Sequence, residues 1–191
     1  MNMNTIEITG QPCSGKSTYV DKISPANKDF LTKSGIFIRK IYFFILGVIY
    51  LKSSRIKKLL KWSLKERAPV YFRLNIFRNA IIKFGMFKKN FESKSQINNN
   101  FILDEGISHL PFLFLETETT TLLEFIINEL CRVNVIFLKS PGSDEIKARL
   151  QNRGHKRLQF ISLTDFVDRN KEIEKVLIHS YSKLCLDFKV I

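Results

Sequence analysis

In the run Gly10-Gln11-Pro12-Cys13-Ser14-Gly15-Lys16-Ser17-Thr18, the first eight residues follow the spacing G-x-x-x-x-G-K-[ST]. Each position answers a need of triphosphate binding. Gly10 leaves a strand through a tight turn, and Gly15 lets the backbone approach a ligand closely. Consecutive backbone N–H groups and the N-terminus of the helix that begins at Lys16 surround a phosphate with positive partial charge. The Lys16 ammonium reaches β- and γ-phosphate oxygens, and the Ser17 hydroxyl is placed to ligate Mg²⁺. Average composition gives this spacing by chance in about one per cent or less of chains this long. ATP with Mg²⁺ is therefore the expected ligand of residues Gly10 to Thr18. Cys13 sits inside the loop, so its thiol is expected to be open to alkylation, with ATP protecting. The plainer alternative is a small residue tolerated at a variable loop position.

Two further groups carry chemistry. Asp104 ends the apolar run Asn100–Asp104, where a strand-terminal carboxylate would hold Mg²⁺ directly or through water. Glu105 follows and would lie over the γ-phosphate. One of these carboxylates then serves the metal and the other orients or deprotonates an acceptor. The alternative for Glu105 is a solvent-exposed turn residue, and His109 reads as structural rather than catalytic. Downstream, Arg149 and Arg153 are four apart and share one helix face, and Gly154 ends that helix before the basic run His155-Lys156-Arg157. Arginines on a mobile lid would neutralise a phosphoryl group in transfer. The bland alternative is a solvated basic helix end.

The elements that must position these residues alternate. Thr5–Thr9 is a short, β-branched strand ending at Gly10, and Lys16–Ile23 starts a helix. Asn100–Asp104 is the next clear strand. Thr119–Cys131 has Leu122, Leu123, Ile126, Ile127 and Leu130 at helical spacing. Val133–Leu138 is a strand, Ser143–Asn152 a helix with Ser143 as N-cap, and Thr164 caps a long helix to about Leu184. Phe188–Ile191 is a last strand. Alternating strands and helices imply an α/β fold with a mainly parallel sheet. A further strand is expected near Phe30 or Ile36, or is missing.

Between Lys33 and Lys94 stand 16 basic residues and two acidic ones, Glu66 and Glu92; the remainder holds 15 basic and 16 acidic. The net charge of +13 therefore sits in one middle segment. Ile36–Leu51 reads as a buried apolar helix, because its uncharged run Ile41–Leu51 is only 11 residues, too short for a bilayer core of roughly 30 Å. Ser53–Lys65 places Ile56, Leu59, Leu60 and Leu64 on one face. Pro69 breaks the pattern, and Leu74, Phe77, Ile81 and Phe84 resume it. The expected organisation is one domain over 1–191 with a basic helical insertion at 33–94. The insertion suits a small anionic acceptor, such as a sugar or nucleotide phosphate, or an anionic membrane surface. Neither a zinc-finger nor an RNP-type motif favours nucleic acid. Three unpaired Cys and no basic-then-apolar N-terminal run point to the cytoplasm, with a peripheral membrane association as the variant.

Gly10–Thr18, the ILDEG of Ile102–Gly106 and the RLQNRG of Arg149–Gly154 occur in the order of P-loop nucleoside and nucleotide kinases. The chain resembles the thymidylate-kinase-like and deoxynucleoside-kinase-like group, and especially small kinase-like ATP-binding proteins of bacterial polysaccharide gene clusters. The resemblance covers roughly residues 1–25 and 97–191. It implies a three-layer α/β/α fold whose five-stranded sheet has the order 2-3-1-4-5. It also implies Mg–ATP at the loop, with Arg149 and Arg153 contacting adenine or phosphates. The chain departs from thymidylate kinases, which have Asp-Arg where Asp104-Glu105 stands. Leu31–Ile36 lacks the second-strand carboxylate of deoxynucleoside kinases. The expected function is γ-phosphoryl transfer with Lys16, Glu105, Arg149 and Arg153 as the catalytic set. The alternative is an ATP-binding regulatory or membrane-surface protein without a small-molecule acceptor.

Overall fold

The structure is a computed structural model that describes residues 5–23, 33–92 and 101–191. Its sheet has four parallel strands: β1 (Thr5–Thr9), β2 (Phe101–Asp104), β3 (Asn134–Phe137) and β4 (Asp187–Val190), in the order β2-β1-β3-β4. β1 is central, with Ile8 opposite Asp104 on one side and Ile136 on the other. Parallel pairing sets the carboxyl ends of β1 and β2 side by side, so the loop after Thr9 and the carboxylates after Leu103 share one edge. The helices are α1 (Lys16–Ile23), α2 (Lys33–Tyr50), α3 (Ser53–Lys65), α4 (Val70–Glu92), α5 (Thr119–Leu130), α6 (Ser143–Arg153) and α7 (Leu163–Leu184).

The four strands keep the relative order expected for the first, third, fourth and fifth strands. No strand in the second place occurs among the described residues. Phe30 lies outside them, and Ile36 is helical, within α2. Two caps move by one or two residues. Ser162, not Thr164, caps α7, its hydroxyl accepting from Asp165 N at 3.1 Å; Thr164 already lies inside the first turn. Gly142 holds the N-cap position of α6, and Ser143, one residue on, instead accepts from the Lys171 ammonium.

The helices of the basic segment share one apolar cluster with the α/β part. Leu59 of α3 and Ile81 and Phe84 of α4 belong to the same buried set as Leu110, Phe114, Leu122 and Ile126. Trp62 stands edge-on to Phe125 at 4.9 Å, and Phe84 does so at 5.8 Å. Arg55 fits between the Phe84 and Phe125 rings, 4.9 and 4.5 Å from their centroids, and pairs with buried Glu129 at 2.7 Å. The Tyr50 hydroxyl donates to the same carboxylate. One basic residue of the segment is thus a structural pin, because cation–π contacts and a charged hydrogen bond compensate its desolvation.

α2 and α4 cross antiparallel and very close. A Cβ on Gly85 would lie 1.8 Å from the Phe43 carbonyl oxygen, and one on Gly47 would lie 2.1 Å from that of Ile81. Only glycine permits that approach. The expectation of a buried helix over Ile36–Leu51 is corrected here: the helix forms, but one face alone packs against α4. Phe37, Ile38, Ile45 and Ile49 are 64%, 65%, 52% and 63% exposed. Leu64 and Leu74 are likewise exposed rather than buried on their helices. Among the described residues no helix is long and apolar enough to cross a membrane.

Candidate functional site

The loop after β1 has the backbone its glycines foretell. Gly10 has φ 147°, and a Cβ there would meet the Leu138 carbonyl oxygen at 2.5 Å. Gly15 has φ 100° with open space around it, so there the conformation, not room, requires glycine. Cys13 adopts φ 65°, a left-handed conformation that costs an ordinary residue of order 1–3 kcal/mol. The Ser14 hydroxyl and the Gln11 side-chain nitrogen are buried without a protein partner. Such groups suit a loop that closes around polar ligand atoms. The Lys16 ammonium, almost fully buried, donates to the carbonyls of Gly10 at 3.0 Å and Gln11 at 2.8 Å, and pairs with Glu105 at 3.2 Å.

The sheet edge brings the predicted residues together. Ser17 Oγ donates to Asp104 Oδ2 across a long 3.5 Å. These two hard oxygen ligands fit Mg²⁺, which takes few protein ligands and completes its shell with phosphate and water. Among the described residues there is no cluster of three or more His, Cys, Asp or Glu that would build a metal cage alone. Partial burial and the Glu105 charge push the Asp104 carboxyl up, an imbalance a cation would relieve.

Glu105 has φ 59°, and its N–H donates to the Ile8 carbonyl at 3.0 Å. Burial opposes its ionisation, but the cations around it (His109 when protonated, Lys83, Lys16) outweigh burial and hold the carboxyl well below its usual range. His109 Nε2 lies 3.6 Å from Glu105 Oε1, yet burial keeps that ring neutral near neutrality.

Lys83 comes from α4, in the basic segment, and the sequence reading missed it. It is almost fully buried, and its ammonium donates to the Glu105 main-chain carbonyl. Burial pulls its pKa down, while Glu105, Glu7 and Asp104 pull it up. Its signal was a lone charge inside Ala80-Ile81-Ile82-Lys83-Phe84. Glu7 was also missed, a carboxylate in the middle of β1. It is fully buried and accepts from the N–H groups of Ile107 at 3.1 Å and Ser108 at 2.7 Å. A Cβ on Gly106 would lie 2.3 Å from that carboxyl, which explains the glycine after Asp104-Glu105.

Arg149 reaches the loop, donating to the Cys13 carbonyl at 3.1 Å while paired with Glu145. Arg153, one turn on, is exposed and forms no hydrogen bond or ion pair with the loop. Gly154 ends α6 with φ 61°. The basic run after it is not a loose loop. It forms a short turn anchored by buried Arg157, which donates to the carbonyls of Phe112 and Leu113 and lies over the Phe72 ring. Beside that turn, Tyr71, Phe72, Leu74, Asn75, Arg78 and Lys156 line an open cleft of ≈ 410 Å³. Two cations and no carboxylate line it.

Comparison with known protein families, with curated proteins and with solved structures finds no match to this chain.

Proposed function

We propose that the chain is an ATP-dependent phosphotransferase of the P-loop kinase type, moving the γ-phosphoryl of Mg–ATP to a small anionic acceptor. The observation that carries this reading is the meeting of Lys16, Ser17, Asp104 and Glu105 at the carboxyl edge of two adjacent parallel strands. In it, Gly10–Thr18 bind the triphosphate through backbone N–H groups, and Lys16 exchanges its two carbonyl partners for phosphate oxygens. Ser17 and Asp104 would hold Mg²⁺, which would supply positive charge for the phosphoryl group in transfer. Glu105 stays ionised between Lys16 and Lys83. Its task is to orient the acceptor hydroxyl. Arg149 lies at the loop and Arg153 completes the lid. The strand order supports placing the chain in the thymidylate-kinase-like group, with a three-layer fold and a fifth strand beside β2.

A second reading, an ATP-binding protein with slow hydrolysis and no acceptor, is favoured by one observation. The turn that would act as lid is anchored by Arg157, which limits closure. Incubation with γ-labelled ATP and a panel of nucleosides, nucleotides, sugars and phosphosugars separates the two. Transfer that Lys16→Ala abolishes is the expected result. Tight ATP binding without transfer to any acceptor supports the second reading, and turnover undiminished in Lys16→Ala refutes the role of the loop.

A further inference from the structure

The solvent face of α2 has no counterpart in the nucleotide site. Phe37, Ile38, Ile41, Ile45, Val48 and Ile49 recur at three- and four-residue spacing and are each 40% exposed or more. At 100° per residue they form a single stripe, while Phe43 and Gly47 face α4 on the opposite side. Arg39 and Lys40 fall outside the stripe. The helix is 18 residues, roughly 27 Å, and the stripe runs most of its length. Exposed aliphatic and aromatic groups in one contiguous row mark a contact surface, not ordinary scatter.

Charge indicates what covers the row. α2 leads directly into α3, whose outer face exposes Lys57, Lys58, Lys61 and Lys65, with Lys52 before it. Of the segment's two acidic residues, Glu66 is buried and bonded to Glu116 N. A second copy would oppose one strongly basic segment with another. An anionic bilayer surface satisfies both features. Its acyl boundary accepts the apolar stripe, and its headgroups accept lysines whose stems extend along the interface. The helix is apolar enough on one side to lie in the interface and too charged elsewhere to cross.

We infer that α2 is an in-plane membrane-docking helix that binds anionic lipid surfaces through its exposed apolar stripe, with the lysines of α3 as the electrostatic partner. This inference stands apart from the nucleotide reading and uses none of the residues of the loop.

The test is co-sedimentation of the full chain with phosphatidylcholine vesicles containing about one-third phosphatidylserine, and with pure phosphatidylcholine vesicles. The wild type is expected to bind the anionic vesicles at least about tenfold more tightly than the neutral ones, and less as salt is raised. Ile45→Glu, and separately Lys57→Glu with Lys61→Glu, are expected to lower that binding about tenfold or more with the urea-unfolding midpoint unchanged. Ile38→Gln, at a position 65% exposed, repeats the stripe test should Ile45→Glu fail to fold. Three results overturn the inference: no binding to anionic vesicles at low salt, binding indifferent to the stripe variants, or a wild-type dimer by light scattering that the stripe variants split.

Discussion

Replacing Lys83 with Met keeps an unbranched stem of similar length and removes the ammonium. In the structure that ammonium holds the main-chain carbonyl of Glu105, a residue at φ 59°. It also balances the carboxylates of Glu7, Asp104 and Glu105. Losing a charged hydrogen bond costs about 1.5–3 kcal/mol. The variant also escapes the burial penalty that pulls Lys83 down. The net loss of stability should therefore be about 1–2 kcal/mol, below the ~3–5 kcal/mol of stranding a fully buried charge. The effect on nucleotide binding is separate. Without Lys83, Lys16 alone opposes three carboxylates as a triphosphate arrives. For a separation taken as about 10 Å, a unit charge at an effective dielectric near 20 is worth roughly 2 kcal/mol, so ATP affinity should fall roughly 10- to 100-fold. Urea unfolding gives the first quantity and titration calorimetry with Mg–ATP the second. A Lys83→Met chain that binds ATP like the wild type refutes the claim that α4 contributes to the site, even if its stability falls.

Other perturbations probe the parts separately. Gly85→Ala puts a methyl 1.8 Å from the Phe43 carbonyl and forces α2 and α4 apart, costing about 2 kcal/mol or more in urea unfolding despite the gain in helix propensity. His155 is held down to about 4 by burial and by Arg157 and Arg153. The unfolded chain takes up the proton near 6.5 and the folded chain only near 4, so stability falls as pH drops through that window. With the ring partly exposed the loss is about 1–2 kcal/mol, and His155→Gln should remove most of that slope in unfolding midpoints measured from pH 7 to 4. Cys13, left-handed within the loop, should be alkylated by iodoacetamide more slowly when Mg–ATP is present; mass spectrometry of the modified peptide reads the rates, and equal rates would count against ATP in the loop.

The loop, Asp104 and Glu105 were legible because each depends on a local pattern: glycine where φ is positive, or a carboxylate ending an apolar run. Alternation gave the parallel sheet, and the relative order of its four strands came only from the resemblance. Lys83 and Glu7 were not legible. Periodicity weighs a helix or strand face as a whole, and a single charge on an apolar face reads as noise until the neighbouring carboxylates or N–H groups are seen. Arg55 entered only as one of the 16 basic residues of the middle segment, although two rings and Glu129 enclose it. α2 failed in the opposite direction. Its composition argued for burial, but a helix has two sides, and hydropathy does not say that only the Phe43–Gly47 side meets a partner within the chain. The anchoring of the basic turn through Arg157 was equally hidden, since its acceptors are main-chain carbonyls 45 and 44 residues away.

Titration calorimetry of the full chain with ATP, with and without Mg²⁺, bears most directly on the central claim. Saturable binding at one site is expected, strengthened by Mg²⁺, lost in Lys16→Ala and stripped of its Mg²⁺ dependence in Asp104→Asn. Absence of binding at millimolar Mg–ATP, or binding that Lys16→Ala leaves unchanged, would contradict it.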